Sequence, residues 1–435
     1  MNKKNTIFLS CVLAIYAASA GLAVSDVAIV SRQPWSNAVK VKFNVSGVTT
    51  ETNAKFAFSA YDGTTKLCDI DTARVSGDIY ADASGSCEVE IDVKDLHPML
   101  TSRGGLKDFR IGVEVAETSP VLYKIINLET APGSANHIVY LTRADIISGS
   151  HAGIPSSLES YEVNPVSGVD SFIWTGVTNN VGTNQRYVNA RLVLRRIPAG
   201  SFAMGTSGVN VTITKGFWIG VFPLTWGQYC KITGDTWNPG NSRFLPFTHD
   251  GETQKVSSYN VMRGESAVWP QTGYRIEPTS VCAKLCDVAG EDGFDLPTEA
   301  QWEYACRAGT DGNLYRSESL DDICWYVGNS GGHSMTPGGK LPNAWGLYDM
   351  IGNVWERVLD WNGTTVSGGI DPWGPVGNAD NRRLVRGGCH QSGSGNCSCT
   401  SRTADGSTVS SGGGAFYGVR IVQNGRWECL KEERK

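Results

Sequence analysis

Two stretches of this 435-residue chain have residue types and spacings that could do chemistry: Gly346–Trp361, rich in acids, and the cysteine-rich segment that follows Gly388. The first reads Gly-Leu-Tyr-Asp-Met-Ile-Gly-Asn-Val-Trp-Glu-Arg-Val-Leu-Asp-Trp, with three carboxylates, two tryptophans and two glycines. That mixture suits neither a plain amphipathic helix nor a plain strand, so it reads as a shaped loop. Gly352 reaches positive φ without steric cost. A turn there would let Asp349 and Glu356 face one point. Carboxylate oxygens with turned-in backbone carbonyls are what a hard cation such as calcium takes. The same residues also suit a buried Trp355 with acids that are solvated or cap helix ends.

The second stretch holds Cys389-His390 and Cys397-Ser398-Cys399. Thiolates select soft metals. A Cys-x-Cys spacing puts both side chains on one face of an extended segment. Cys389, Cys397, Cys399 and His390 could therefore form a soft-metal or thiol site, or some of them could pair with other cysteines. Cys389 beside His390 invites a nucleophile-and-base reading, but neighbours in a strand point to opposite faces. The Gly-rich run Ser410–Ala415 lacks the lysine and the strand-to-helix setting of a phosphate loop.

The elements that must position these residues belong to a folded, exported protein. Fifty-one glycines, 13 tryptophans and 19% charged residues describe a turn-rich, aromatic-rich chain. A net charge of −5 gives no general reason to expect nucleic acid. Lys3 and Lys4, the apolar run Ile7–Ala20 and the small residues Ala18-Ser19-Ala20 have the layout of a signal peptide over residues 1–20. The protein is therefore expected to be secreted, periplasmic or on the cell surface. No later segment is apolar over about 18 residues, so no membrane span is expected after cleavage. Of the 12 cysteines only Cys11 lies in this leader, and in an exported protein many of the rest should pair.

From residue 26 to 145 the pattern has period two. Val39, Val41, Phe43 and Val45 alternate with polar residues, as do Cys87, Val89, Ile91 and Val93, and Phe109, Ile111, Val113 and Val115. This predicts an immunoglobulin-sized, all-β sandwich, in which Cys68 and Cys87 could bridge. His97 and His137 are isolated and read as structural or surface residues rather than ligands. The domain reads as a spacer or adhesion module. Residues 146–185 read as a linker, 186–424 as the second domain, and 425–435 as a tail. Two helices are expected in the second domain, around Pro278–Val288 and over Thr298–Ala308 with Thr298 as N-cap.

A series of phrases in the second domain resembles the formylglycine-generating enzyme, or sulfatase-modifying factor, family. They are Arg196-Ile197-Pro198-Ala199-Gly200-Ser201-Phe202-Ala203-Met204-Gly205, Gly216-Phe217-Trp218-Ile219-Gly220, and Leu224-Thr225-Trp226-Gly227-Gln228-Tyr229. After them come Leu296-Pro297-Thr298-Glu299-Ala300-Gln301-Trp302-Glu303-Tyr304-Ala305-Cys306-Arg307-Ala308-Gly309-Thr310, Pro342-Asn343-Ala344-Trp345 leading into Gly346–Glu356, Val385-Arg386-Gly387-Gly388 and Gly418-Val419-Arg420. The resemblance implies an α+β, C-type-lectin-like fold, low in regular secondary structure. It also implies a calcium site formed by Asp349, Gly352, Val354 and Glu356, and a bridge from Cys306 to Cys399 or Cys397.

Catalytic members of that family are similar to one another in placing a serine directly after the glycines, followed by two cysteines five positions apart that bind Cu(I). Here Cys389 follows the glycines, Ser392 occupies the first cysteine position, and Cys397 falls at the second. The copper pair is broken. Two readings follow. In the first, the protein is a binding or structural module for a protein or glycan ligand, with exposed loops at His390–Asn396 and Thr403–Phe416. In the second, it is a copper-dependent oxidase that converts a sulfatase cysteine to formylglycine through a rearranged site at Cys397 and Cys389. Copper is expected only in the second reading, and calcium in both.

Overall fold

The computed structural model describes residues 21–32, 38–49, 53–71, 74–81, 84–93, 108–134, 137–148, 160–163, 170–173, 190–236, 246, 262–263, 276–316, 319–363, 367–375, 382–404 and 416–424. The expected signal peptide (1–20) and tail (425–435), His97, the Gly-rich run and most of the expected linker lie outside the described residues.

Two compact units divide the chain: Met1–Val121 with Thr142–Ala144, and Leu122–Leu141 with Asp145–Lys435. The division expected near residue 145 thus differs from the one observed. Leu122–Leu141 belong to the second unit because their strands hydrogen-bond into its sheet.

In the first unit the described elements are strands: β1 (Ala23–Arg32), β2 (Ala38–Ser46), β3 (Asn53–Asp62), β4 (Thr65–Ile70), β5 (Val75–Gly77), β6 (Tyr80–Ala81), β7 (Gly85–Asp92) and β8 (Phe109–Thr118). The period-two pattern is realised. Along β2, Val39, Val41, Phe43 and Val45 are buried while Lys42 and Ser46 are exposed. One sheet runs β1-β2-β7-β5, and the other runs β4-β3-β6 with β8 paired to β3. Both contribute to one apolar cluster that includes Val41, Phe43, Phe56, Phe58, Val89 and Val113. Phe43 meets Phe56 edge-on at 4.8 Å between ring centroids, a geometry the ring quadrupoles favour. Cys68 on β4 and Cys87 on β7 lie in different sheets, and both touch this cluster.

From Val121 onward come β9 (Val121–Asn127), β10 (Ile138–Thr142), α1 (Arg143–Ser148), β11 (Ser160–Val163), β12 (Asp170–Ile173), β13 (Arg191–Ile197), β14 (Gly200–Met204), β15 (Val209–Ile213) and β16 (Phe217–Gly220). Next are α2 (Trp226–Thr233), α3 (Val281–Ala289), β17 (Phe294–Asp295), α4 (Glu299–Arg307), α5 (Leu320–Ile323), β18 (Trp355–Trp361), β19 (Gly369–Ile370) and β20 (Arg383–Arg386). The last are β21 (Arg402–Ala404), β22 (Tyr417–Val419) and β23 (Val422–Gln423).

The unit is sheet-rich with few, short helices. A six-stranded sheet runs β10-β9-β13-β16-β23-β17, and a four-stranded sheet runs β21-β20-β18-β22. No helix among the described residues is long and apolar enough to cross a membrane.

α4 forms where the sequence signals it. Thr298 accepts from the Gln301 backbone N–H and the Gln301 side chain accepts from the Thr298 N–H, a reciprocal cap that satisfies two otherwise orphaned donors. All nine α4 residues are buried, the charged Glu299, Glu303 and Arg307 among them. Such a helix needs charged partners from elsewhere. α3 starts at Val281, after Ser280 accepts from the Ala283 N–H. It therefore begins later than the expected Pro278.

Candidate functional site

The stretch from Gly346 is a loop before it becomes β18, and left-handed backbone shapes it. Gly346, Asp349, Gly352 and Asn353 have φ of 75°, 53°, 80° and 61°. At Gly352 the requirement is steric as well, since a Cβ there would lie 2.4 Å from both Cys324 Sγ and the Trp325 carbonyl oxygen. Just upstream, the Asn343 Oδ1 accepts from the Trp345 and Leu347 N–H groups at 3.0 Å. Its Nδ2 donates to the Ala305 and Cys306 carbonyls at 2.7 and 3.0 Å, closing the end of α4.

The two acids expected to share a cation are held by different partners. Asp349 Oδ2 accepts from the Gly338 N–H at 2.7 Å. Burial pushes the Asp349 carboxyl up to about 6. Glu356 accepts from Trp302 Nε1 at 2.7 Å, from Arg420 Nη2 at 2.7 Å and from Arg420 Nε at 2.9 Å. Arg420 also donates to the Gly220 and Tyr348 carbonyls, each at 2.8 Å. Both Glu356 oxygens are thus directed at N–H donors. A cation taken by Glu356 would have to share the carboxylate with Arg420 and Trp302.

Asn353 ties this loop to the cysteine segment. Its carbonyl accepts from the His390 N–H and from His390 Nδ1, both at 2.9 Å. The ring stacks on Phe416 with centroids 5.6 Å apart. Burial holds the His390 pKa below its ordinary value, which favours the neutral ring. Cys389 packs in a cluster with Trp355, Val385, Phe416 and Tyr417. Its thiol accepts from Ser392 Oγ at 3.4 Å, and the same hydroxyl accepts from the Cys389 N–H at 2.9 Å. Cys389 and His390 therefore spend these hydrogen bonds on different partners, and the nucleophile-and-base reading finds no support in them.

Two further thiol pairs underlie the segment. Cys306 Sγ lies 3.3 Å from Cys399 Sγ, in the place that the resemblance implies for a bridge. Cys397 meets Cys324, and both are buried in the main apolar cluster. The Cys324 thiol is pushed well up by the neighbouring Cys397 thiol and by burial. Burial likewise raises Cys389. Cys324 stands 73 positions before Cys397, and no local signal in the sequence marks it as a partner.

A buried charge network fixes the segment to α4. Arg386 donates to Glu303, to the Cys399 carbonyl at 2.9 Å and to the Thr400 carbonyl at 3.2 Å. Arg402 reaches both Glu299 oxygens, at 2.7 and 3.2 Å. On this frame the turn carries exposed Gln391, Ser394 and Asn396, next to Val327 at 56% exposure. The Val327 N–H donates to the Ser392 carbonyl at 3.1 Å.

Residues 179–425 match the sulfatase-modifying factor enzyme 1-like domain. The formylglycine-generating enzyme of Mus musculus is 34% identical over 121 residues, which are 23% of this chain and 32% of that protein. The inactive C-alpha-formylglycine-generating enzyme 2 of Mus musculus is 35% identical over 86 residues, 17% of this chain and 27% of that protein. The chain thus spans about a third or less of the length of these curated relatives. Among solved structures, Treponema denticola variable protein 1 is 24% identical, with a TM-score of 0.40 over 54% of this chain and 95% of that one.

Proposed function

The chain belongs to the sulfatase-modifying factor enzyme 1-like family through residues 179–425, and on that premise we propose that its second unit is a binding module, on a C-type-lectin-like frame, for a protein or glycan ligand. One observation carries the reading. Ser392 stands where the resemblance places the first copper cysteine, and its hydroxyl is spent on the Cys389 turn. A hydroxyl is a poor ligand for Cu(I), which takes soft thiolates. A family relative named as inactive supports the existence of members without the oxidation.

The binding surface in this reading is the exposed turn Gln391–Asn396 beside Val327. Small polar residues on a rigid frame supply adaptable hydrogen bonding. Export to the cell surface or beyond is part of the same proposal, since such a ligand would be met there.

The test is Cu(I) competition against a chromophoric chelator under reducing conditions, together with aldehyde formation on a peptide containing a sulfatase active-site cysteine. Neither copper retention nor aldehyde is expected. Submicromolar Cu(I) affinity that disappears in Cys397→Ser, together with aldehyde product, would replace this reading with the rearranged oxidase.

A further inference from the structure

We propose that Cys324 and Cys397 form a disulfide that ties the cysteine segment to the chain just after α5, separate from the Cys306–Cys399 pair. The proposal stands apart from the binding reading and does not depend on it.

Cys397 and Cys399 are two positions apart, and each meets a thiol from a different part of the chain. Cys399 faces Cys306 at the end of α4, with 3.3 Å between sulfurs. Cys397 lies beside Cys324, directly after α5, in the same buried cluster. Two glycines open the slot in which the second pair lies. A Cβ on Gly352 would come within 2.4 Å of Cys324 Sγ, and one on Gly388 within 3.0 Å of Cys397 Sγ. The two backbones are joined there, since the Gly352 N–H donates to the Gly387 carbonyl at 3.0 Å. Neither residue could carry a side chain without displacing a sulfur.

Burial completes the case. Cys324 and Cys397 are 0% and 1% exposed, within one apolar cluster that includes Trp302, Ile323 and Met350. A thiol is a weak donor and a weak acceptor, so two facing thiols hold the segment poorly. A covalent bond would hold it directly. Because the sulfurs are inaccessible once the core closes, the bond must form during folding.

The oxidant is a small disulfide of the glutathione class. The Cys397 thiolate attacks oxidised glutathione, forming a mixed disulfide and releasing one glutathione thiolate. The Cys324 thiolate then attacks the Cys397 sulfur, forming the intramolecular bond and releasing the second. Two protein thiols are oxidised and one glutathione disulfide is reduced to two thiols.

The experiment refolds the full chain in a glutathione redox buffer, alkylates it under denaturing conditions and maps its proteolytic peptides by mass spectrometry without reduction. The expected result is a linked pair of peptides containing Cys324 and Cys397. In Cys324→Ser, Cys397 should become fully alkylated while Cys306 and Cys399 keep the state that they have in the wild-type chain. Recovery of alkylated Cys397 from the native-folded wild-type chain, or of Cys397 linked to any other cysteine, would overturn the proposal. The wild-type map decides the matter even if the variants fail to fold.

Discussion

Arg420 lies across both oxygens of Glu356, with Nη2 2.7 Å from Oε1 and Nε 2.9 Å from Oε2, and both residues are buried. The partners are 64 positions apart. Glu356→Gln would leave the guanidinium in the core without its hydrogen-bonded counter-charge. Breaking a buried pair in this way costs about 3–5 kcal/mol. Urea unfolding of Glu356→Gln should show that loss, and a change below about 1 kcal/mol would mean that the pair does not hold the fold together.

The same pairing bears on calcium. With Glu356 turned to Arg420 and Trp302, EGTA is expected to leave the melting temperature unchanged. A rise in melting temperature on adding calcium, absent in Glu356→Gln, would instead mean that the carboxylate leaves Arg420 for the ion.

Gly352→Ala should destabilise through two separate effects. The residue has φ of +80°, and its Cβ would meet the Cys324 sulfur and the Trp325 carbonyl, each at 2.4 Å. A left-handed non-glycine residue costs about 1–2 kcal/mol, and overpacking adds about 1–3 kcal/mol. Gly393→Ala is the control, because nothing lies within 4 Å of a Cβ there and φ is −66°. Chemical denaturation of the two variants should separate them by at least about 2 kcal/mol.

Asp360 gives the domain a pH dependence. Burial, with the neighbouring Glu299 charge, pushes its carboxyl up to about 7. The folded state then holds a proton that the unfolded chain has already released. This group's contribution to stability is therefore full below about pH 4, the ordinary carboxylate range. It is lost as pH rises to about 7 and is constant above that. Asp360→Asn should flatten this part of the profile. If wild-type stability climbs across the same window relative to Asp360→Asn, the sign is wrong and the carboxyl is ionised throughout.

Much of the frame was legible because its signals are local. The period-two strands of the first unit and the Thr298 cap of α4 each follow from residues within a few positions of one another. Gly346–Trp361 was legible as a shaped loop, since its glycines and acids exclude regular structure. The partners of those acids were not. Arg420 and Trp302 reach Glu356 from 64 and 54 positions away. Cys324 reaches Cys397 through a fold that little periodic structure announces. The boundary between the units was misplaced for a similar reason. β9, Val-Leu-Tyr-Lys-Ile-Ile-Asn, is buried on both faces, and only its pairing with β13 shows which sheet it joins.

The position of β23 bears on how the protein is made. Val422–Gln423 lie between β16 and β17, pairing with both. These two strands leave the ribosome long before the residues that join them. Until those residues arrive, β17 has no strand beside it in the sheet, and Glu356 has no arginine. A nascent chain stopped short of Arg420 would therefore hold at once a β17 without a neighbouring strand and a Glu356 without its counter-charge. Release of the whole second unit, rather than stepwise folding during synthesis, becomes the event that commits it, and truncated products become natural substrates for proteolysis.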